Sequence, residues 1–376
     1  MWNWQQKDWP NFRYDEDAIK ELEEQFLKNS GEHSGTLKHI SNEDQEILKV
    51  ELLSEEALKT SEIEGEFLDR DSLQSSICRQ FGLKTDNRKV PPAEQGIAAM
   101  MVDLYKTFDK PLSHEYLWRW HKMLINGQQN ITIGAYRDSE EPMRVVSGTI
   151  YDPKIHFEAP PAIALHDEMG AFIHWFNATS KQGKMPLPAL TRAAIAHLYF
   201  VCIHPFEDGN GRISRALTEK SLAQSLNKPT LISLAYTIER AKKHYYSGLE
   251  HNNKDNEITD WIVYFSKTVL DAQANTRRRI EFIIEKTKLY DKIRGAINSR
   301  QEKVIERMFQ EGVDGFKGGL SAENYITITS SPRTTVTRDL NDLVAKGALR
   351  KVGQLKHTRY YLNIPSQVPD QNDQPR

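Results

Sequence analysis

Apolar residues recur along this chain with the spacing of helices rather than of strands. Residues 193–203 form a near-continuous apolar run, and residues 216–226 read as a second helix close behind it. Most of residues 93–270 repeats its apolar positions with a 3.6-residue period, including the Trp-rich segment Leu117-Trp118-Arg119-Trp120. Residues 41–64 predict another helix: Ser41 is an N-cap with Asp44 at N3, followed by Ile47, Leu48, Leu52, Ala57 and Leu58. Strand signals are short. Met143-Arg144-Val145-Val146-Ser147-Gly148 is β-prone and ends in a turn, as a hairpin needs. Residues 271–300, with Arg277-Arg278-Arg279, read as a charged connecting helix. Beyond it, 322–328 and 333–346 predict two short helices around Ser330-Ser331-Pro332, and 347–353 with 358–362 a two-stranded ribbon. The polar, proline-containing stretch 365–376 predicts a disordered tail. The pattern is that of a mostly α chain divided at 1–90, 91–270, 271–300, 301–364 and 365–376, with Lys89-Val90-Pro91-Pro92 as the first boundary.

Composition narrows the class. At 376 residues the chain has room for two or three domains of roughly 100–200 residues each. Charged residues at 27% and hydrophobic ones at 39% describe a globular protein. A net charge of -2 argues against a global attraction to nucleic acid or membranes. Cys78 and Cys202 are too few for a disulfide framework, and the first eight residues lack the apolar core of a signal peptide. A cytoplasmic location without membrane attachment is the expectation. Charge is unevenly spread, however. Residues 1–64 carry seven Lys/Arg against sixteen Asp/Glu, whereas 317–359 carry eight against three.

The chemistry concentrates in twelve positions: His204-Pro205-Phe206-Glu207-Asp208-Gly209-Asn210-Gly211-Arg212-Ile213-Ser214-Arg215. A loop feeding a helix N-terminus points free N–H groups outward, and the helix dipole adds partial positive charge there. Gly209 and Gly211 let the backbone turn and approach a ligand closely. Arg212 and Arg215, three apart, share one face at the start of that helix. This is the layout of a di- or triphosphate cradle with a base, His204, beside it. His197 and His204 are seven apart, without the His-Glu-x-x-His spacing of a zinc site, so His197 reads as an interior histidine. Phe206 reads as a core residue.

The segment fits the motif H-P-F-x-x-G-N-G-R-x-x-R at every fixed position, and in this it resembles the Fic-domain family. The resemblance implies a Fic-type helical core with a short β-hairpin flap, and an enzyme that transfers AMP from ATP to a hydroxyl side chain of a protein, itself included. His204 would deprotonate a Ser, Thr or Tyr hydroxyl, which attacks the α-phosphate. Asp208 would hold Mg²⁺ against the phosphates. Gly209, Asn210 and Gly211 would form the anion hole, and Arg212 and Arg215 would contact the β- and γ-phosphates. The residue types suit this chemistry: a neutral imidazole accepts a proton, and N–H dipoles, arginines and a metal stabilise phosphoryl charge.

Three further stretches resemble the family more loosely. Thr60-Ser61-Glu62-Ile63-Glu64-Gly65 fits [S/T]-x-x-x-E-[G/N], found on an inhibitory helix in many Fic proteins, here at about 41–66. That implies an autoinhibitory Glu64 paired with Arg215, with Thr60 and Gly65 framing it; a solvated acidic helix also supplies such a pattern. Ile133-Gly134-Ala135-Tyr136-Arg137 resembles the G-x-Y-R before the flap, whose segment Val145, Val146, Ser147 and Gly148 is a candidate for nucleotide or target contact by strand addition. Tyr245, Tyr246 and Asn253 resemble the residues bounding an adenine pocket; tyrosine pairs also pack in cores. Trp2-Asn3-Trp4 and Phe12-Arg13-Tyr14-Asp15 resemble the N-terminal cap of one Fic subgroup, where the aromatics pack.

The C-terminal order of helices and ribbon resembles a winged helix-turn-helix domain, whose second helix would present Arg333, Thr334, Thr335, Thr337 and Arg338 to DNA. A winged helix used for protein contact or a homodimer remains the alternative. So do AMP removal by the same site, with Glu64 positioning water, and a DNA-binding regulator whose Fic core senses nucleotide. The intact Gly-Asn-Gly-Arg disfavours the phosphate-transferring variant of the family.

Overall fold

The computed structural model describes residues 1–37, 40–86, 88–128, 131–149, 152–313, 315–316 and 318–367. Its chain divides into two compact units, Met1–Thr276 and Arg277–Arg376. The first opens with α1 (Asp17–Leu37), α2 (Asn42–Ile63), α3 (Arg70–Phe81), α4 (Pro92–Thr107) and α5 (His114–Leu124). An antiparallel hairpin follows, β1 (Arg144–Thr149) with β2 (Asp152–Glu158), bulged between Val145 and Val146. Then come α6 (Leu165–Ala178), α7 (Ala189–Ile203), α8 (Asn210–Leu226), α9 (Leu234–Arg240), α10 (Lys242–Asn252) and the first part of α11 (Thr259–Ile293).

Helix α7 is hydrophobic on all sides because it is the shared wall of two cores. Ala196, Tyr199, Phe200 and Ile203 face a cluster built with α2 to α6. Leu190, Ala194, Leu198 and Cys202 face a second cluster with α1, α9, α10 and α11. Helix α8 packs against α7 and is buried along most of its length. The two helices that flank the motif are therefore fixed from every side, which makes the loop between them rigid. Arg192, wholly buried on α7, strengthens this by bonding the Phe176 carbonyl (2.7 Å) and the Ser221 hydroxyl (3.1 Å).

The N-terminal aromatics pack, as read from the sequence. Trp2 meets Phe157 edge to face at 5.3 Å, Trp9 meets Tyr199 at 5.1 Å, and Trp4 Nε1 donates to the Glu158 carbonyl at 2.7 Å. Helix α2 starts as expected: the Asp44 N–H donates to the Ser41 hydroxyl at 3.1 Å.

The second unit holds the remainder of α11, then α12 (Ser299–Gln310), α13 (Ala322–Thr329), α14 (Arg333–Ala345) and the hairpin β3 (Leu349–Val352) with β4 (Arg359–Leu362). Val304, Ile305, Tyr325, Val336, Leu340, Leu349 and Leu362 form its core. The helix expected over 271–300 is interrupted. It ends at Ile293, Gly295 takes φ 69°, and α12 restarts under an Asn298–Gln301 capping box. Within the tail read as 365–376, Pro365–Gln367 form a 3-10 turn, and 368–376 lie outside the described residues. Among the described residues, no helix is long and apolar enough to cross a membrane.

Candidate active site

The motif loop is shaped by its own residues. Helix α7 stops at His204, which takes a left-handed conformation (φ 50°, ψ 57°) and is followed by Pro205, which cannot extend a helix. The Asn210 side chain then closes the turn. It accepts from the Phe206 N–H at 3.0 Å and donates to the Phe206 carbonyl at 2.7 Å. Its side chain thus holds the two ends of the Phe206 peptide backbone inside the loop. Gly209, at φ 86°, caps α8, and a Cβ there would lie 2.9 Å from Leu124 Cδ2. Phe206 is fully buried and stacks on His121 at 4.1 Å. Glu207 anchors the loop from outside by accepting from the Thr132 N–H (3.1 Å) and hydroxyl (2.9 Å).

The His204 imidazole is held in one tautomer. Its Nδ1 lies 3.2 Å from the Val201 carbonyl, which fixes the proton there and leaves Nε2 as the acceptor. Burial lowers its pKa to about 4; the Val201 bond opposes this and the nearby Arg137 charge adds to it. Arg137, itself buried, braces the loop through the His204 carbonyl (2.8 Å) and the Pro160 carbonyl (2.6 Å). A rate that depends on neutral His204 therefore holds from pH 8 down through pH 6 and falls only as the pH approaches about 4. Initial rates against pH at saturating ATP, in the AMP transfer that the motif leads one to expect, check this. A fall centred near the ordinary histidine pKa of about 6.5 contradicts it.

Both motif arginines are engaged by carboxylates from the end of α2. Arg215, 2% exposed, donates from Nε to the Thr60 hydroxyl (2.6 Å), and from Nη2 to the Thr60 carbonyl (2.9 Å) and Glu64 Oε1 (2.7 Å). Burial disfavours its charge, but Glu64 and the Tyr245–Tyr246 pair outweigh this and raise its pKa. Arg212 donates to Glu66 Oε2 at 2.6 Å and to Asp208 Oδ2 at 2.9 Å. The Glu64 carboxylate rests against Gly211, where a Cβ would collide with Oε1. It lies at the first turn of α8, whose N–H groups lack partners within the helix. A carboxylate therefore sits beside the start of α8.

The [S/T]-x-x-x-E-[G/N] pattern now has a physical basis. Gly65 takes φ 86° just after the C-cap Glu64; its N–H bonds the Glu62 carbonyl and the Glu66 N–H bonds the Ser61 carbonyl, each at 3.0 Å. Those two bonds are a Schellman motif, which requires a left-handed residue at Gly65. They fix the backbone that carries Glu64 and Glu66. Glu66 was not legible as a site residue; its only sequence signal is a third alternating acid after Glu62 and Glu64.

The looser expectations are placed as follows. Tyr245 is buried, and its hydroxyl bonds His197 Nε2 at 2.8 Å, while His197 Nδ1 meets Thr218 at 3.0 Å; His197 is interior, as read. Tyr246 alone of the pair shows its ring to solvent, at 40% exposure. Asn253 donates to the His156 carbonyl at 3.2 Å and so ties α10 to the hairpin. Val145 to Gly148 lie on β1 with exposed side chains; Ser147 bonds His156 at 2.6 Å. In the second unit Arg333, Thr337 and Arg338 lie on the exposed face of α14 and Thr335 is half-buried.

The chain is similar to several known proteins. The Fic/DOC family profile matches residues 111–222, and a domain of unknown function, DUF4172, matches residues 2–83. The protein adenylyltransferase fic-1 of Caenorhabditis briggsae is 26% identical over 203 residues, 53% of this chain and 35% of that protein. The protein adenylyltransferase Fic of Drosophila virilis is 31% identical over 121 residues, 31% of this chain and 24% of that protein. The chain thus spans about a third or less of these relatives. Two crystal structures share the fold. One is a Fic family protein from Desulfovibrio desulfuricans G20 (TM-score 0.54, 17% identity, covering 94% of this chain and 98% of that one). The other is a Fic domain containing signaling protein from Bacteroides thetaiotaomicron (TM-score 0.51, 18% identity, covering 71% and 96%). With the complete motif on a rigid loop between α7 and α8, the chain is a Fic-domain protein.

Proposed function

We propose that this protein transfers AMP from ATP to a hydroxyl of a protein and that Glu64 restrains the transfer. The observation that carries the reading is the Glu64 carboxylate held between Arg215 and Gly211, where the helix start and the arginine would otherwise receive phosphate. In the reaction His204 Nε2 accepts the hydroxyl proton, and the oxygen forms a bond to the α-phosphorus. The bond from that phosphorus to the β-bridging oxygen breaks, and pyrophosphate leaves. The first-turn N–H groups of α8, Arg212 and Arg215 face the charge that develops on phosphate. Asp208 suits Mg²⁺, being a half-exposed hard oxygen donor beside the cradle, and the bound ion would neutralise phosphate charge. The Arg215 Nη1, buried without a hydrogen-bond partner, supports an anionic ligand on that side.

Target docking fits the hairpin. Among the described residues β1 pairs only with β2, and Val145 and Val146 are 37% and 54% exposed, so its outer edge can take an extended peptide. The relatives named protein adenylyltransferases support the direction of the reaction. The test runs both ways: the full chain receives ATP with Mg²⁺, and separately a protein already carrying AMP. Transfer is expected; removal without transfer overturns the reading and favours the hydrolase.

A second reading concerns the second unit alone. We read α13, α14 and the β3–β4 ribbon as a winged helix whose α14 face meets DNA. Val336, Leu340 and Leu343 turn inward, which leaves Arg333, Thr337 and Arg338 outward. Arg338→Ala should then weaken duplex binding about five-fold or more and flatten its salt dependence, as a phosphate contact does. No duplex binding at low salt by gel shift leaves protein contact as the role of this face.

A further inference from the structure

We infer that Glu66 is a second restraining residue, acting on Arg212 as Glu64 acts on Arg215; the inference rests on the nucleotide reading above. The Schellman turn at Gly65 places the two carboxylates two residues apart, and the first turn of α8 places the two arginines three apart. The pairs match one to one: Glu64 to Arg215 at 2.7 Å, Glu66 to Arg212 at 2.6 Å. Arg212 is 3% exposed, whereas the Glu66 side chain keeps 31% of its surface in water. The carboxylate is therefore the partner that can leave, and the arginine the one that stays.

Arg212 is also claimed by Asp208 at 2.9 Å, so two carboxylates share one guanidinium and its local charge is overcompensated. A nucleotide phosphate reaching Arg212 would have to displace Glu66 or approach beside both acids. Buried Nε of Arg212 has no acceptor, so one donor is ready for an incoming oxygen. Releasing Glu64 alone frees Arg215 and leaves Arg212 held. Glu66 is thus a positioning residue with a signature of its own. It acts on the arginine assigned to the β-phosphate, so its removal should favour nucleotides that carry a β-phosphate, ADP included. Removal of Glu64 acts on the arginine assigned to the γ-phosphate and should favour ATP most.

The experiment measures AMP, ADP and ATP affinities with Mg²⁺ by calorimetry on the full chain, comparing Glu64→Gly with Glu64→Gly/Glu66→Ala. The second change is expected to tighten ADP and ATP by about five- to thirty-fold, between an exposed ion pair and a charged hydrogen bond. AMP binding should be unmoved, and KM for ATP should fall while kcat holds. Glu66→Gln keeps the shape and loses the charge, should give a smaller gain, and carries the same test if the alanine protein does not fold. Unchanged or weaker ADP binding overturns the inference while leaving the Glu64 account standing. Absence of ATP binding by Glu64→Gly overturns both.

Discussion

Replacing Glu64 by glycine is expected to raise AMP transfer, self-modification included, by about 10- to 100-fold, the worth of a lost charged hydrogen bond of roughly 1.5–3 kcal/mol. The gain has two sources. Arg215 loses its 2.7 Å partner, and the first turn of α8 loses an anion that rests on Gly211. Glycine suits the position, because Glu64 is the C-cap of α2 and the Schellman bonds around it are made by backbone. Arg215→Ala should suppress the gain, and the two changes should be non-additive because they remove one contact from opposite ends. Equal activity of wild type and Glu64→Gly in a labelled-AMP assay defeats the regulatory reading. Should transfer stay constant while AMP removal from a modified target disappears, Glu64 belongs to a hydrolase.

His204→Ala is the second large effect, in the opposite direction. Loss of a general base costs about 10²–10⁴-fold in transfer. Nucleotide affinity should change little, because the groups proposed to face phosphate are the α8 N-terminus and the arginines, and Asn210 closes the loop independently of the imidazole. Measuring turnover and ATP affinity on the same preparation separates the two. An alanine protein that keeps most wild-type turnover removes His204 from the base role, whatever its pKa.

What was legible in the sequence follows from the range of each interaction. The motif and its flanking helices are local: a near-continuous apolar run marks α7, α8 follows close behind, and Gly209 and Pro205 mark the turn. The start of α2 was legible for the same reason, since Ser41 and Asp44 are three apart. The Glu64–Arg215 and Glu66–Arg212 contacts join residues about 150 apart, so only the pattern around Glu64 hinted at the first, and Glu66 carried no more than its place in a run of alternating acids. Asn210 shows a different gap. Its place in the motif put it in the anion hole with Gly209 and Gly211, without showing that its side chain holds Phe206, a bond that needs the folded turn to be seen. Tyr245 is similar, for a helical tyrosine pair does not reveal which ring turns inward; here it is the one bonded to His197. The break at Gly295 was hidden by a charged run that favours helix on both sides of it.

The central claim, that the cradle delivers AMP and Glu64 holds it closed, is tested most directly by paired labelling of the Glu64→Gly protein. One reaction contains ATP labelled at the α-phosphate, the other ATP labelled at the γ-phosphate. Label should stay on protein from the α-position alone, be weak in wild type, and vanish in Glu64→Gly/His204→Ala. Retention from the γ-position, or no protein-bound label from either, contradicts the account.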